Sequence, residues 1–81
     1  MKARIAITLK NGVLDPQGKA IHSALLNYGF NDIHDVRQGK IIDITLDAVS
    51  VEQANHDIKI MCEKLLANTV IETYEILSIV A

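Results

Sequence analysis

Hydrophobic and polar positions alternate from the start of the chain. Ala3, Ile5, Ile7 and Leu9 fall on one side, and Lys2, Arg4, Ala6, Thr8 and Lys10 on the other. A period of two with isoleucines predicts a strand with one buried face. Asn11-Gly12 ends it, because Gly supplies the backbone angles of a turn. Asp15 stands where a side chain can cap the free N–H groups of a helix, and Pro16 suits the first helical position. Ile21, Ala24, Leu25 and Tyr28 recur at helical spacing, and Gly29 follows as a left-handed stop. Gly18 falls in the first turn, where its entropic cost is smaller than at mid-helix.

Asp32 to Arg37 reads as a short, weakly patterned second strand. Gln38-Gly39 reads as a tight turn with Gly39 at a positive φ. Lys40 to Asp47 reads as a third strand, with Ile42, Ile44 and Leu46 alternating with Ile41, Asp43, Thr45 and Asp47. Ser50-Val51-Glu52-Gln53 has capping-box form. Ala54, Ile58, Met61, Cys62 and Leu65 trace a second helical stripe that Asn68 ends. From Val70 onward the chain is β-branched and apolar, which predicts a fourth strand.

The order β-α-β-β-α-β predicts an α+β, ferredoxin-like fold over residues 1–81 as a single domain. It would have a four-stranded antiparallel sheet with two helices on one face and right-handed crossovers. One feature argues for self-association. In the last strand Ile71, Leu77 and Ile79 alternate with Val70, Tyr74, Ile76 and Val80, so both faces read as apolar. Ile41 adds to the excess if it points away from the helices. A sheet covered on one side should be polar on the other, so the open face is expected to meet a second copy.

Composition supports that expectation. A chain of 81 residues, 49% hydrophobic and 22% charged, is a globular balance. At this length about 60–65% of the unfolded surface is buried, and the single Cys62 offers no internal disulfide. Self-association is the remaining staple. The net charge of −2 argues against a general nucleic-acid or anionic-membrane binder. Met1-Lys2-Ala3-Arg4 leads straight into the alternation with no signal-peptide core, and no apolar run is long enough to span a bilayer. A cytoplasmic location is expected.

Catalytic chemistry finds little purchase. His22, His34 and His56 are widely spaced, and Cys62 has no Cys partner, so no metal site is expected. Cys62 lies on an apolar stripe, where a thiol acts as a small hydrophobe. Gly12 to Lys19 superficially resembles a phosphate loop. Its glycine spacing is wrong, however, and Ala20 stands where Ser or Thr would hold magnesium. The predicted first and third strands carry no aromatic residues to stack RNA bases. Asp35 with Arg37, and Glu72 and Glu75 around Tyr74, read as solvated rim charges. What remains is a module that works through surfaces. Its turn Lys10-Asn11-Gly12-Val13-Leu14-Asp15-Pro16-Gln17-Gly18 is over-specified for a connector. Leu14 would staple to an apolar residue four places into the helix, but Lys19 stands there, so Leu14 must pack on the core or on a partner.

The runs KNGVLDPQGKAI (Lys10 to Ile21), DVRQGK (Asp35 to Lys40) and MCEKLLANTVIETYEI (Met61 to Ile76) resemble the PurS family, small subunits of phosphoribosylformylglycinamidine synthase. The resemblance covers essentially the whole chain. Thr69 departs from it, standing where the family commonly has Pro. The resemblance implies a non-catalytic subunit of a complex that amidates formylglycinamide ribonucleotide with ATP and glutamine in purine biosynthesis. It implies a homodimer or higher homo-oligomer that bridges a synthetase large subunit and a glutaminase subunit, supporting assembly and ammonia transfer. No cofactor is expected on this chain; ATP and Mg would sit in the large subunit.

Two sets of surface residues follow. Lys10, Gly12, Val13, Leu14, Asp15, Pro16, Gln17 and Gly18, with Arg37, Gln38, Gly39 and Lys40 at the hairpin tip, are expected to meet the larger subunits. Arg37 is the best candidate for a directed polar contact. Ile41, Glu72, Tyr74, Ile76 and Val80 are expected to serve self-association. The alternative reading is a stand-alone ferredoxin-like regulatory module that binds a small molecule. An acylphosphatase-like hydrolase ranks last, because the first turn offers Asn11 but no Arg.

Overall fold

The computed structural model describes residues 1–81. β1 (Lys2–Leu9) is the centre of an antiparallel sheet, with β2 (Gly39–Thr45) and β3 (Glu72–Val80) on its two sides. α1 (Pro16–Asn27) connects β1 to the segment before β2, and α2 (Val51–Met61) connects β2 to β3. The class is α+β, as the periodicities predict.

The core lies between the sheet and α2. Ala3, Ile5 and Ile7 of β1 pack with Ile58, Cys62 and Ala67, and Ile42, Ile44, Leu46, Tyr74, Ile76 and Ile79 close in around them. Ile5 faces Ile42 on one side and Ile76 on the other. Each fully buried isoleucine contributes about 1.5–3 kcal/mol relative to exposure. Ser50 caps α2 by accepting the Gln53 N–H at 3.1 Å. The reciprocal half of the capping box is absent, because the Gln53 amide donates to Asp57 instead.

α1 ends as Gly29 predicts. Gly29 has φ +95°, and its N–H bonds to the Leu26 carbonyl while the Phe30 N–H reaches back to Leu25. Yet α1 lies on neither the sheet nor α2 to any extent. The molecule measures 51 × 26 × 14 Å with a radius of gyration of 16.1 Å, against about 12 Å for a compact domain of this length. The expectation of two helices on one face is therefore corrected: α2 alone covers the sheet, and α1 projects as an arm. Its stripe is largely uncovered, with Ile21 and Tyr28 exposed.

The expected strand at Asp32–Arg37 is also absent, and the sheet has three strands. This segment runs back along α1, where its backbone finds other partners. The His22 Nε2–H donates to the Ile33 carbonyl at 2.8 Å, and the Gln38 N–H bonds to Asp15. The weak alternation supplied no apolar face to hold it on β2.

Three finer expectations change. Gly39 has no positive φ; the left-handed glycines are Gly12 and Gly29. Gly39 is needed for proximity, since a Cβ there would sit 2.8 Å from the Ile7 carbonyl oxygen. Leu65 is 83% exposed rather than on the buried stripe. The helix relaxes into a π turn over Cys62–Leu66, closed by the Ala67 N–H to the Cys62 carbonyl. One extra residue in that turn rotates Leu65 outward and brings Leu66 and Ala67 to the core.

The two apolar faces of the last strand have a similar cause. A bulge places Ser78 opposite Arg4 but Ile76 opposite Ile5, so Leu77 is the extra residue. The parity flips there, and Tyr74, Ile76 and Ile79 all face α2. Glu72 shares that side through its pairing with Leu9. The helix-free face instead presents Lys2, Arg4, Thr8, Asp43, Thr45, Thr73, Glu75 and Ser78, with Ile41 and Val80 among its exposed apolar members and the bulged Leu77 exposed beside Ser78.

Candidate partner-binding surface

The two segments singled out in the sequence form one joint at the root of the arm. Lys10 to Val13 is a hydrogen-bonded turn in which Gly12, at φ +86°, supplies the conformation side chains avoid. Asp15 then caps α1. Its Oδ1 accepts the Gly18 N–H at 2.8 Å, and its Oδ2 accepts the Gln38 N–H at 2.6 Å. The residue is 5% exposed. The Gln38 N–H, then the Gly18 N–H, hold the Asp15 carboxyl below its ordinary value, with Arg37 adding to the effect.

Arg37 closes the joint from the other side. Its Nη1 donates to the Val13 carbonyl at 2.9 Å and its Nη2 to the Lys10 carbonyl at 3.2 Å. The fork that the sequence offers for a directed polar contact with a partner thus engages carbonyls of its own chain. Gly18 is required at the contact, because a Cβ would collide with the Val36 carbonyl oxygen. Its role exceeds the tolerated first-turn glycine that spacing suggests. Lys40 approaches Glu72 at 3.9 Å, and Glu72 also accepts the Asn68 N–H at 2.7 Å. This ties the start of β3 to the same end of the sheet.

The joint leaves apolar groups in solvent. Leu14 is 63% exposed and so does not pack on the core. Val13 is half-buried, and Pro16 and Gln17 are exposed. Arg37, Gln38, Gly39 and Lys40 line the return path, and all four are exposed. Of the residues assigned to self-association, Ile41 and Val80 sit on the helix-free face, whereas Glu72, Tyr74 and Ile76 sit on the other. The Tyr74 hydroxyl donates to Glu63 at 2.8 Å, which raises the phenol above its ordinary value.

Sequence reasoning missed two features. One is the Arg4–Asp43 pair on the helix-free face, where Nε donates to Oδ1 at 2.9 Å and Nη2 to Oδ2 at 3.1 Å. The opposite charges lie on alternating strand positions, but only the register makes them neighbours. The other is the open apolar side of α1. No three His, Cys, Asp or Glu side chains converge in a way that could hold a metal ion. Cys62 is fully buried, and burial pushes its thiol up, away from the reactive thiolate.

The family model for PurS, phosphoribosylformylglycinamidine (FGAM) synthase, matches residues 2–79. The chain belongs to the PurS family. It is 45% identical over 75 residues to the phosphoribosylformylglycinamidine synthase subunit PurS of Methanocaldococcus jannaschii, covering 93% of this chain and 90% of that one. It is 46% identical over 77 residues to the corresponding subunit of Bacillus subtilis, covering 90% and 86%. The crystal structure of the M. jannaschii PurS, one of the subunits of formylglycinamide ribonucleotide amidotransferase, aligns with a TM-score of 0.82 over 93% of this chain and 90% of that one. A PurLQS structure from Thermotoga maritima contains a chain 31% identical to this one, covering 98% of this chain and 99% of that one, also at a TM-score of 0.82. The joint is a matter of shape and backbone geometry.

Proposed function

We propose that this chain is the non-catalytic small subunit of a phosphoribosylformylglycinamidine synthase, a ligase complex of purine biosynthesis that uses ATP and glutamine. It bridges a synthetase subunit and a glutaminase subunit, supporting assembly and ammonia transfer. ATP and Mg belong to the large subunit, and the complex works in the cytoplasm. The observation that carries this reading is the full-length likeness to a PurS chain in a PurLQS structure. The joint of Lys10–Gly18 with Arg37–Lys40 is the surface offered to the larger subunits, with Leu14 as its exposed apolar contact. No helix is long and apolar enough to cross a membrane.

Self-association follows from two unmatched surfaces. α1 presents Ile21, Ala24 and Tyr28 to solvent with Leu25 half-buried among them, while α2 covers the β3 half of the sheet. The helix side of β2, with Ile42, Ile44 and Leu46, is left half-covered. The occupant that fits is the α1 arm of a second copy. Reciprocal exchange would bury both stripes, and the 32–37 segment would reach the free edge of the partner's β2. The resulting unit has four strands and two helices on one face, the ferredoxin-like arrangement that the sequence predicts, assembled from two chains.

Reconstitution tests the function. Purified synthetase and glutaminase subunits should make product from glutamine only when this chain is added, and ammonia-supported synthesis should depend on it less. Full glutamine-supported activity without it would overturn the assignment. Mixed dimers test the exchange. A chain carrying Leu25→Cys and one carrying Ile44→Cys, co-expressed and treated with a short bismaleimide, should cross-link to each other; a monomeric chain would not.

A further inference from the structure

We infer that Asp15 and Arg37 form a lock that holds the α1 arm open, so that a chain cannot cover its own sheet and must exchange arms with another. This rests on the exchange proposed above. The connection Lys10–Asp15 is of the length that ordinarily joins a strand to a helix packed back on its own sheet. Nothing in that length keeps α1 away; the side chains do.

The lock has two bolts. Arg37 ties the return segment to the Lys10 and Val13 carbonyls, the residues that would have to swing for closure. Both bonds are charge-assisted and share one planar fork, so they set a direction as well as a distance. Asp15 ties the first turn of α1 to Gln38, one residue before β2 begins. The helix start and the strand start therefore move as one body. Gly18 lets the two backbones meet where any side chain would hold them apart. The Lys10 carbonyl is occupied twice, by the Val13 N–H and by Arg37, which stiffens the turn itself. Arg37 and Asp15 are thus positioning residues. Free arms of one chain are a concentration-dependent stabiliser of another, and a closed monomer would forfeit that coupling.

The test uses the full chain carrying both Leu25→Cys and Ile44→Cys, with the buried Cys62 kept. Arg37→Gln removes the charged fork. Asp15→Asn keeps an acceptor for the Gly18 N–H but turns an NH2 toward the Gln38 N–H, so it opens the lock and spares the cap. With the lock intact, the bismaleimide product should be interchain only, down to low protein concentration. In Arg37→Gln and Asp15→Asn the intrachain product should rise at least about tenfold, the effect of losing one good polar tie on a two-state balance, with Arg37→Lys between. Compact monomers should appear in sedimentation while the circular dichroism of the sheet and helices stays unchanged. Folded variants that still give only interchain product overturn the lock and leave the exchange standing. Intrachain product from the unmodified joint, with no cross-link between singly labelled chains, overturns both.

Discussion

Asp15 and Gln38, separated by 23 residues, share a 2.6 Å hydrogen bond from the Gln38 N–H to the carboxylate that also caps α1. One side chain thereby joins the start of a helix to the residue that precedes a strand. The carboxylate is the acceptor in both bonds, so its charged form is the one the fold prefers.

That preference has a pH consequence. The folded Asp15 carboxyl lies below its ordinary value of 3.8. Its contribution is complete above that value and is lost as the pH falls through the lower, folded one. The joint should therefore be unaffected between about pH 5 and 8. Acid should release the arm only below the ordinary carboxylate range. Hydrogen exchange of the Gly18 and Gln38 amides against pH would check this. Early loss of protection near pH 6 would be contrary to it.

Gly18 is expected to resist even the smallest side chain. Gly18→Ala would gain helix propensity in isolation, yet its Cβ collides with the Val36 carbonyl. The collision should prevail, costing about 1–3 kcal/mol in a urea unfolding curve. Gly12→Ala has open space around it. Its cost comes from the φ of +86° alone, about 1 kcal/mol.

The π turn separates two neighbouring leucines. Leu65→Ser should shift stability by no more than about 0.5 kcal/mol, since the side chain is in solvent. Leu66→Ala removes a side chain packed against the core and should cost about 2 kcal/mol. Thermal melts at matched protein concentration would read both. A regular α-helix through this stretch requires the opposite order.

The arm's apolar stripe should matter only through association. Leu25→Asp alters no contact with the sheet or α2 of its own chain, so the secondary structure should persist. Sedimentation should show the dimer weakened by at least about 100-fold, since a buried charge without a partner costs several kcal/mol. A dimer of unchanged strength would place the interface elsewhere.

Arg37→Ala should leave the sheet and α2 folded, because the guanidinium donates hydrogen bonds only to the Lys10 and Val13 carbonyls, outside those elements. Glutamine-supported synthesis at limiting concentrations of this chain should fall, through a misdirected arm. Raising the concentration should restore part of it. Unchanged activity and assembly would remove Arg37 from the bridging surface.

The alternation in Lys2–Leu9, the caps at Asp15 and Ser50 and the stop at Gly29 follow from local chemistry, and the sequence by itself determined them. The sequence also singled out Lys10–Gly18 and Arg37–Lys40 as segments, but that they meet in one joint, through bonds spanning 23 to 27 residues, is tertiary. The tertiary structure decided which face each side chain takes after Met61 and after Ile76. One extra residue, in a π turn or a bulge, reverses a periodic pattern without leaving a mark on composition. It also decided that α1 stands away from the sheet. An amphipathic stripe states that a helix must be covered, but the covering surface is a matter of three dimensions, and here the sheet and α2 of the same chain do not supply it.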